Sequence, residues 1–76
     1  MKKLERIDEM ALVYLLHNEP HCIGALDSEP KMAAAMAMVE LVKKGRALGT
    51  MTDDGPSYHL TPRGRREAVL LEAMSG

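Results

Sequence analysis

The side chains in this sequence that are suited to metal binding are two histidines and a cysteine close together, His17, His21 and Cys22, with His59 as a fourth ligand. A structural zinc site usually takes paired Cys or His ligands at regular spacing. Here Pro20 interrupts the helix that would align the two histidines. The pattern therefore argues against a metal site, and we expect no cofactor.

Residues suited to catalysis are also few. Asp53 and Asp54 are adjacent carboxylates followed by glycine, which is typical of a solvated turn rather than of a catalytic pair. Ser28 and Ser57 have no convincing His and Asp partners in the sequence. Because no nucleophile, base and oxyanion site can be assembled, we expect a protein that is not an enzyme.

A third group of side chains is suited to contacting the phosphates of double-stranded DNA. The chain has a net charge of −1, but residues 31–76 carry seven basic against five acidic side chains. An exposed basic face would bind phosphates in a salt-dependent way. The alternative is a solvated surface in which Lys43 and Lys44 also stabilise a helix end. The candidate DNA contacts are Lys31, Lys43, Lys44, Arg46, Arg63, Arg65 and Arg66.

Two helices are predicted in the first half of the chain. Apolar residues recur at spacings of three and four between Lys3 and His17, the pattern of an amphipathic helix. Residues 31–44 are rich in strong helix formers, preceded by a capping serine at Ser28 and followed by Gly45. The segment between these helices, His21–Asp27, fits either a short strand or a single helical turn.

The second half predicts a hairpin and a last helix. Residues 47–51 and 58–60 are short extended candidates separated by a polar tip that contains Asp54-Gly55, a strong turn signal. Thr61 and Pro62 then open a helix as its cap and first residue. The sequence thus predicts one domain, residues 1–76, of mainly α structure with a small β-hairpin (α+β), in the order helix, short element, helix, hairpin, helix.

Two predicted helices carry more apolar surface than one small core can bury. The stretch from residue 32 to 39 is apolar nearly all round and includes Met32, Met36 and Met38, which suit an adaptable contact with an apolar partner. Filling of a small core that lacks Phe and Trp is the alternative role of these methionines. In the last helix, Ala68, Leu71 and Met74 are expected to face the core. On the same helix Val69, Leu70 and Ala73 form a second apolar stripe, which is expected to mediate a homodimer.

Length and composition limit the remaining classes. The chain has 76 residues and one cysteine, so disulfides do not stabilise it. Its longest apolar stretch, residues 32–39, is much shorter than the about 20 residues of a membrane span. The N-terminus lacks the features of a signal peptide. We therefore expect a cytoplasmic protein with no membrane association.

The order of elements and two local motifs resemble the winged-helix core of bacterial or phage regulators of the multiple-antibiotic-resistance type. The motifs are Leu41-Val42-Lys43-Lys44-Gly45 before the hairpin and Leu60-Thr61-Pro62-Arg63-Gly64-Arg65 after it. The resemblance covers roughly residues 4–71 and implies a helix-turn-helix, a wing and a dimer built by terminal helices. The distance from Leu16 to Gly45 is several residues shorter than in that family, which implies that the second helix is shortened by about one turn.

Two functions follow from these observations. The first is a small winged-helix DNA-binding protein, a transcriptional regulator that contacts duplex DNA mainly through its backbone, because residues 32–39 offer no hydrogen-bonding side chain to base edges. The second is a winged-helix protein-interaction module, such as a phage or mobile-element inhibitor or adaptor that binds a host protein.

Overall fold

The computed structural model of the chain describes residues 4–75 as three helices and one three-stranded antiparallel sheet. The predicted α+β class is confirmed. Lys3, where the first helix is predicted to begin, lies outside the described residues. In chain order the elements are α1 (Arg6–His17), β1 (His21–Cys22), α2 (Glu29–Lys43), β2 (Ala47–Thr52), β3 (Gly55–Leu60) and α3 (Pro62–Ser75).

Local capping groups set the start of each helix. The carboxylate of Asp8 accepts a hydrogen bond from the Glu5 N–H at 2.8 Å. Glu5 is therefore the cap residue, and α1 begins at Arg6. The Ser28 hydroxyl accepts from the Lys31 N–H at 3.4 Å, and the Thr61 hydroxyl accepts from the Gly64 N–H at 3.0 Å. The predicted caps of the second and third helices are therefore confirmed.

The segment after α1 forms the short strand β1, which pairs with Tyr58 and Ser57 of β3. Residues 23–28, which follow it, contain no helical turn. The expected second helix is therefore absent rather than shortened. The physical reason is length, because Ile23 is anchored in the core and Ser28 is the cap of α2, and too few residues remain between them for a helix.

The predicted hairpin is confirmed, but its turn is shorter than expected. β2 and β3 pair from Ala47 opposite Leu60 to Thr52 opposite Gly55, which leaves only Asp53 and Asp54 between the strands. We call these two residues the hairpin tip. The strands extend this far because Gly55 takes a φ of 108°, a left-handed conformation that a side chain rarely adopts. Within the sheet β3 is central, with β1 and β2 on either side.

The core lies between α1, α2 and the sheet, with α3 packed against α1. Leu12, Leu15 and Leu41 are fully buried in it. On α3 the prediction holds for Ala68, which is buried, and for Leu71, which is partly buried against the core. It is wrong for Met74, which is 78% exposed. At about 100° per residue, Met74 lies about 120° around the helix from Ala68 and so points away from the core.

None of the helices in the described part of the chain combines the length and apolar character that crossing a membrane requires.

Candidate functional site

Arg46, one of the predicted DNA contacts, lies inside the protein at the junction between α2 and β2. Its side chain is 7% exposed. The guanidinium donates to both carboxylate oxygens of Glu67, at 3.0 and 2.8 Å, and to the carbonyl of Lys44 at 2.6 Å. Such a bidentate ion pair fixes both the position and the orientation of the guanidinium. Arg46 therefore joins the hairpin to α3 and is not displayed to a ligand.

Lys44 is also held by an ion pair, in this case with a carboxylate on α1. Its Nζ lies 2.5 Å from the Asp8 carboxylate, and both side chains are almost fully buried. Burial alone would raise the pKa of Asp8, but the hydrogen bond and charge of Lys44, together with the Glu5 N–H, outweigh it and hold that pKa below its ordinary value. The hydrogen bond that Lys44 donates to Asp8 raises the pKa of Lys44. Lys44 is thus a structural cation.

The three arginines at the start of α3 are exposed. The Arg65 guanidinium lies 2.7 Å from the Glu19 carboxylate, and Arg63 lies 3.6 Å from Glu67. Arg66 is exposed and faces no carboxylate within residues 4–75. At this position the basic surface keeps a charge that the described chain does not neutralise.

The two exposed lysines of α2 are also paired. Lys31 lies 3.2 Å from Asp27, and Lys43 lies 3.6 Å from Glu40. Six of the seven predicted DNA contacts therefore face a carboxylate, and the exposed hairpin tip adds two further negative charges. The basic residues are brought close to acids rather than assembled into one electropositive face.

The outer face of α2 carries an apolar groove of about 620 Å³. Met32 is 44% exposed, Met36 70% and Val39 41%. The prediction is wrong for Met38, which lies on the other side of the helix and is buried in the core. The Glu40–Lys43 ion pair supplies the only charges in the lining. We call this site the α2 groove, and its apolar lining consists of Leu26, Met32, Ala35, Met36 and Val39. Leu26 and Val39 are not among the predicted site residues, although the spacing of Met32, Met36 and Val39 places all three on one helix face.

A second apolar groove, of about 440 Å³, lies on the opposite flank of α2, against α1. Ile7, Met10 and Tyr14 are 48–64% exposed along one face of α1, and Ala33 and Ala37 face them from α2. The groove therefore exposes large apolar side chains of α1 beside small ones of α2.

The third apolar groove, of about 750 Å³, runs along α3 and the end of β3. We call it the α3 groove, and it is lined by Leu60, Pro62, Arg65, Arg66, Val69 and Leu70. Val69 is 51% exposed and Leu70 62%, and the exposed Ala73 lies on the same helix face. The predicted dimer stripe is therefore on the surface of the monomer.

The histidines and the cysteine do not converge. His17 pairs with Glu72 of α3, the His21 ring packs edge-on against Tyr14 with centroids 5.0 Å apart, and Cys22 lies beside the hairpin tip. Over residues 4–75, no three His, Cys, Asp or Glu side chains are grouped as a metal site requires.

Comparison of the chain with protein-family models, curated proteins and solved structures found no match.

Proposed function

We propose that this chain is a winged-helix module that acts by binding a protein through the α2 groove. The order helix, strand, helix, hairpin, helix, with the last strand of the sheet at its centre, supports the winged-helix assignment. In that assignment α2 stands where a regulator carries its recognition helix, and the β2–β3 hairpin is the wing.

The observation that carries this proposal is the chemistry of α2. Met32, Met36 and Val39 face solvent, whereas base recognition needs hydrogen-bonding side chains. Methionine side chains are flexible and polarisable, so they adapt to an apolar partner. Because Glu40 and Lys43 neutralise each other, the groove suits an uncharged surface. The occupant is the apolar face of an amphipathic helix in a partner protein.

Self-association through α3 is the second part of the proposal. Val69, Leu70 and Ala73 form an apolar stripe that stays exposed in the described part of the chain, residues 4–75. Sedimentation equilibrium at micromolar concentration should give about twice the chain mass of 8.4 kDa. A monomer under these conditions would contradict this part.

The α2 groove is tested by comparing two variants in affinity capture from host cell extract. Met36→Glu places a charge in the groove, and Thr50→Glu places the same charge on an exposed strand position outside it. A protein retained by the wild type and by Thr50→Glu should be lost by Met36→Glu. That protein, once purified, should bind the wild type at least about tenfold more tightly than it binds Met36→Glu. Equal binding to all three chains would refute the assignment of the groove.

DNA binding is the second candidate, favoured by the exposed arginines at the start of α3. If duplex DNA is the partner, Arg63, Arg65 and Arg66 act on phosphates, because they lie at a helix start and not along a helix face. Replacing Arg65 and Arg66 by alanine should then weaken binding equally for unrelated sequences and lower the salt slope by up to about two. A loss confined to one sequence would indicate direct base readout.

A further inference from the structure

The α3 groove presents a positive charge to any occupant. Arg66 lines the groove, is exposed and faces no carboxylate in the described chain. The first turn of α3 contains no acidic residue, so the positive end of the helix dipole adds to this charge. The acidic residues of α3 point elsewhere, Glu67 to Arg46 and Glu72 to His17. The groove therefore suits an occupant that is both apolar and acidic.

The end of the hairpin has this combination. Asp53 and Asp54 are exposed, and neither forms an ion pair with another described residue. Met51, just before them, is 77% exposed. One short stretch thus offers a long apolar side chain followed by two carboxylates.

Within one chain this stretch cannot reach the groove. Leu60 lines the groove, and the hairpin tip lies beyond the opposite end of β3, which begins at Gly55. At about 3.3 Å per residue, β3 holds the two apart by about 17 Å. The end of a hairpin that enters this groove must belong to another molecule.

The hairpin tip is braced before any contact forms. The Thr52 hydroxyl accepts from the Asp54 N–H at 3.2 Å and donates to the Gly55 carbonyl at 2.6 Å. The Cys22 thiol lies 3.6 Å from the Asp54 carbonyl. A tip that is already ordered loses little conformational freedom on binding, which favours its use as a contact.

We propose that the hairpin tip of one copy occupies the α3 groove of a second copy, and that the reverse contact closes a twofold dimer. Met51 packs against Val69 and Leu70 of the second copy. The two carboxylates of the tip lie beside its Arg66. This proposal rests on the self-association proposed above and specifies the surfaces that form it.

Charge reversal tests each side of the contact by sedimentation equilibrium. Arg66→Glu should raise the dissociation constant of the dimer at least about tenfold, because it places like charges together in both contacts. The double variant Asp53→Arg, Asp54→Arg should do the same. Matched controls are Arg6→Glu and Glu29→Arg, exposed positions outside both surfaces, and these should leave the constant within about twofold.

Mixing the two reversed proteins is the sharper test. In a mixed dimer, the acidic tip of the Arg66→Glu chain meets an unchanged Arg66, and the basic tip of the other chain meets Glu at position 66. Both contacts are then complementary, so two proteins that are monomers alone should form a dimer when mixed. Circular dichroism of each protein alone confirms that it is folded.

The outcomes separate this inference from self-association in general. A wild-type dimer that both reversals leave unchanged would overturn the tip contact and retain self-association through α3. A wild-type monomer would overturn both. Species larger than a dimer would show a head-to-tail contact that does not close, which also overturns the twofold arrangement.

Discussion

The middle and the C-terminal end of α2 use their side chains in opposite ways. At the C-terminal end Leu41 is fully buried, and the junction that follows holds Lys44 and Arg46 in ion pairs with distant carboxylates. In the middle of the helix, Met36 and Val39 face solvent and form no hydrogen bond through their side chains. The charged residues at the junction therefore hold the end of α2 to α1 and α3, whereas the apolar residues in the middle of the helix stay exposed.

This contrast changes what a basic residue indicates in a small domain. Lys43 and Lys44 are neighbours in the sequence, yet Lys43 is exposed and Lys44 is buried against Asp8. One position along a helix turns a side chain by about 100°, enough to move it from solvent to the interior. A cluster of cations in the sequence is thus a weak indication of a binding face unless the burial of each is known.

The largest effect should come from the junction. An alanine Cβ at Gly64 would lie 2.0 Å from the Arg46 carbonyl oxygen, so Gly64→Ala must move backbone in α3 or in the junction. We expect a loss of at least about 4 kcal/mol in the free energy of unfolding, or failure to fold. Gly24→Ala is the matched control, because a Cβ there meets nothing within 4 Å. Urea titration of both variants measures the free energy of unfolding. Equal stability of the two variants would contradict the close packing of α3 against the junction.

The next effect concerns the buried pair. Asp8→Ala removes both the carboxylate that pairs with Lys44 and the acceptor of the capping hydrogen bond from Glu5. Loss of the cap alone should lower the free energy of unfolding by about 1 kcal/mol, and loss of the ion pair should add to it. Glu9→Ala, at the adjacent residue of α1, should change it by less than about 0.5 kcal/mol. Urea unfolding of the two variants side by side measures the difference. A small effect of Asp8→Ala would mean that the pair contributes little to holding α1 against the junction.

A smaller effect should follow from pH. Because the pKa of Asp8 is lowered in the folded protein, its contribution to stability is present above the pKa of an unfolded aspartate, about 3.9, and is lost as pH falls through the folded value. The stability difference between wild type and Asp8→Asn should therefore be constant near neutral pH and shrink under acid conditions. Urea unfolding from neutral pH down to pH 2.5 gives this difference, and one that grew on acidification would have the wrong sign.

The smallest effect on stability is expected in the middle of α2. Met36 is 70% exposed, so Met36→Glu should change the free energy of unfolding by less than about 0.5 kcal/mol. The same urea titration provides the value. A large destabilisation would show that Met36 supports the core, which would contradict the contrast between the middle of α2 and its C-terminal end.

Local signals in the sequence were sufficient to predict much of the fold. Ser28, Thr61 and Pro62 start helices through hydrogen bonds to residues three positions away or through a fixed φ, and such short-range effects are visible in a sequence. The hairpin was predicted from its Asp-Gly signal, although the strands extend farther than expected. The exposed stripe of α3 followed from helical periodicity.

The candidate site was harder to predict because its character depends on distant pairings. Arg46 meets Glu67 from 21 residues away and Lys44 meets Asp8 from 36 residues away, and no periodicity in the sequence specifies either partner. The α2 groove also depends on Leu26, which lies in a segment without regular structure. Only the folded structure shows which basic residues already form ion pairs with carboxylates.

The most direct test of the account is a titration of the wild-type protein against a fluorescent mixed-sequence duplex, followed by anisotropy at about 50 mM and about 200 mM salt. Since six of the seven candidate cations face carboxylates, the account predicts no saturable binding at micromolar protein at either salt concentration. Saturable binding with a micromolar or tighter Kd that weakens as salt increases would contradict it and make DNA the partner.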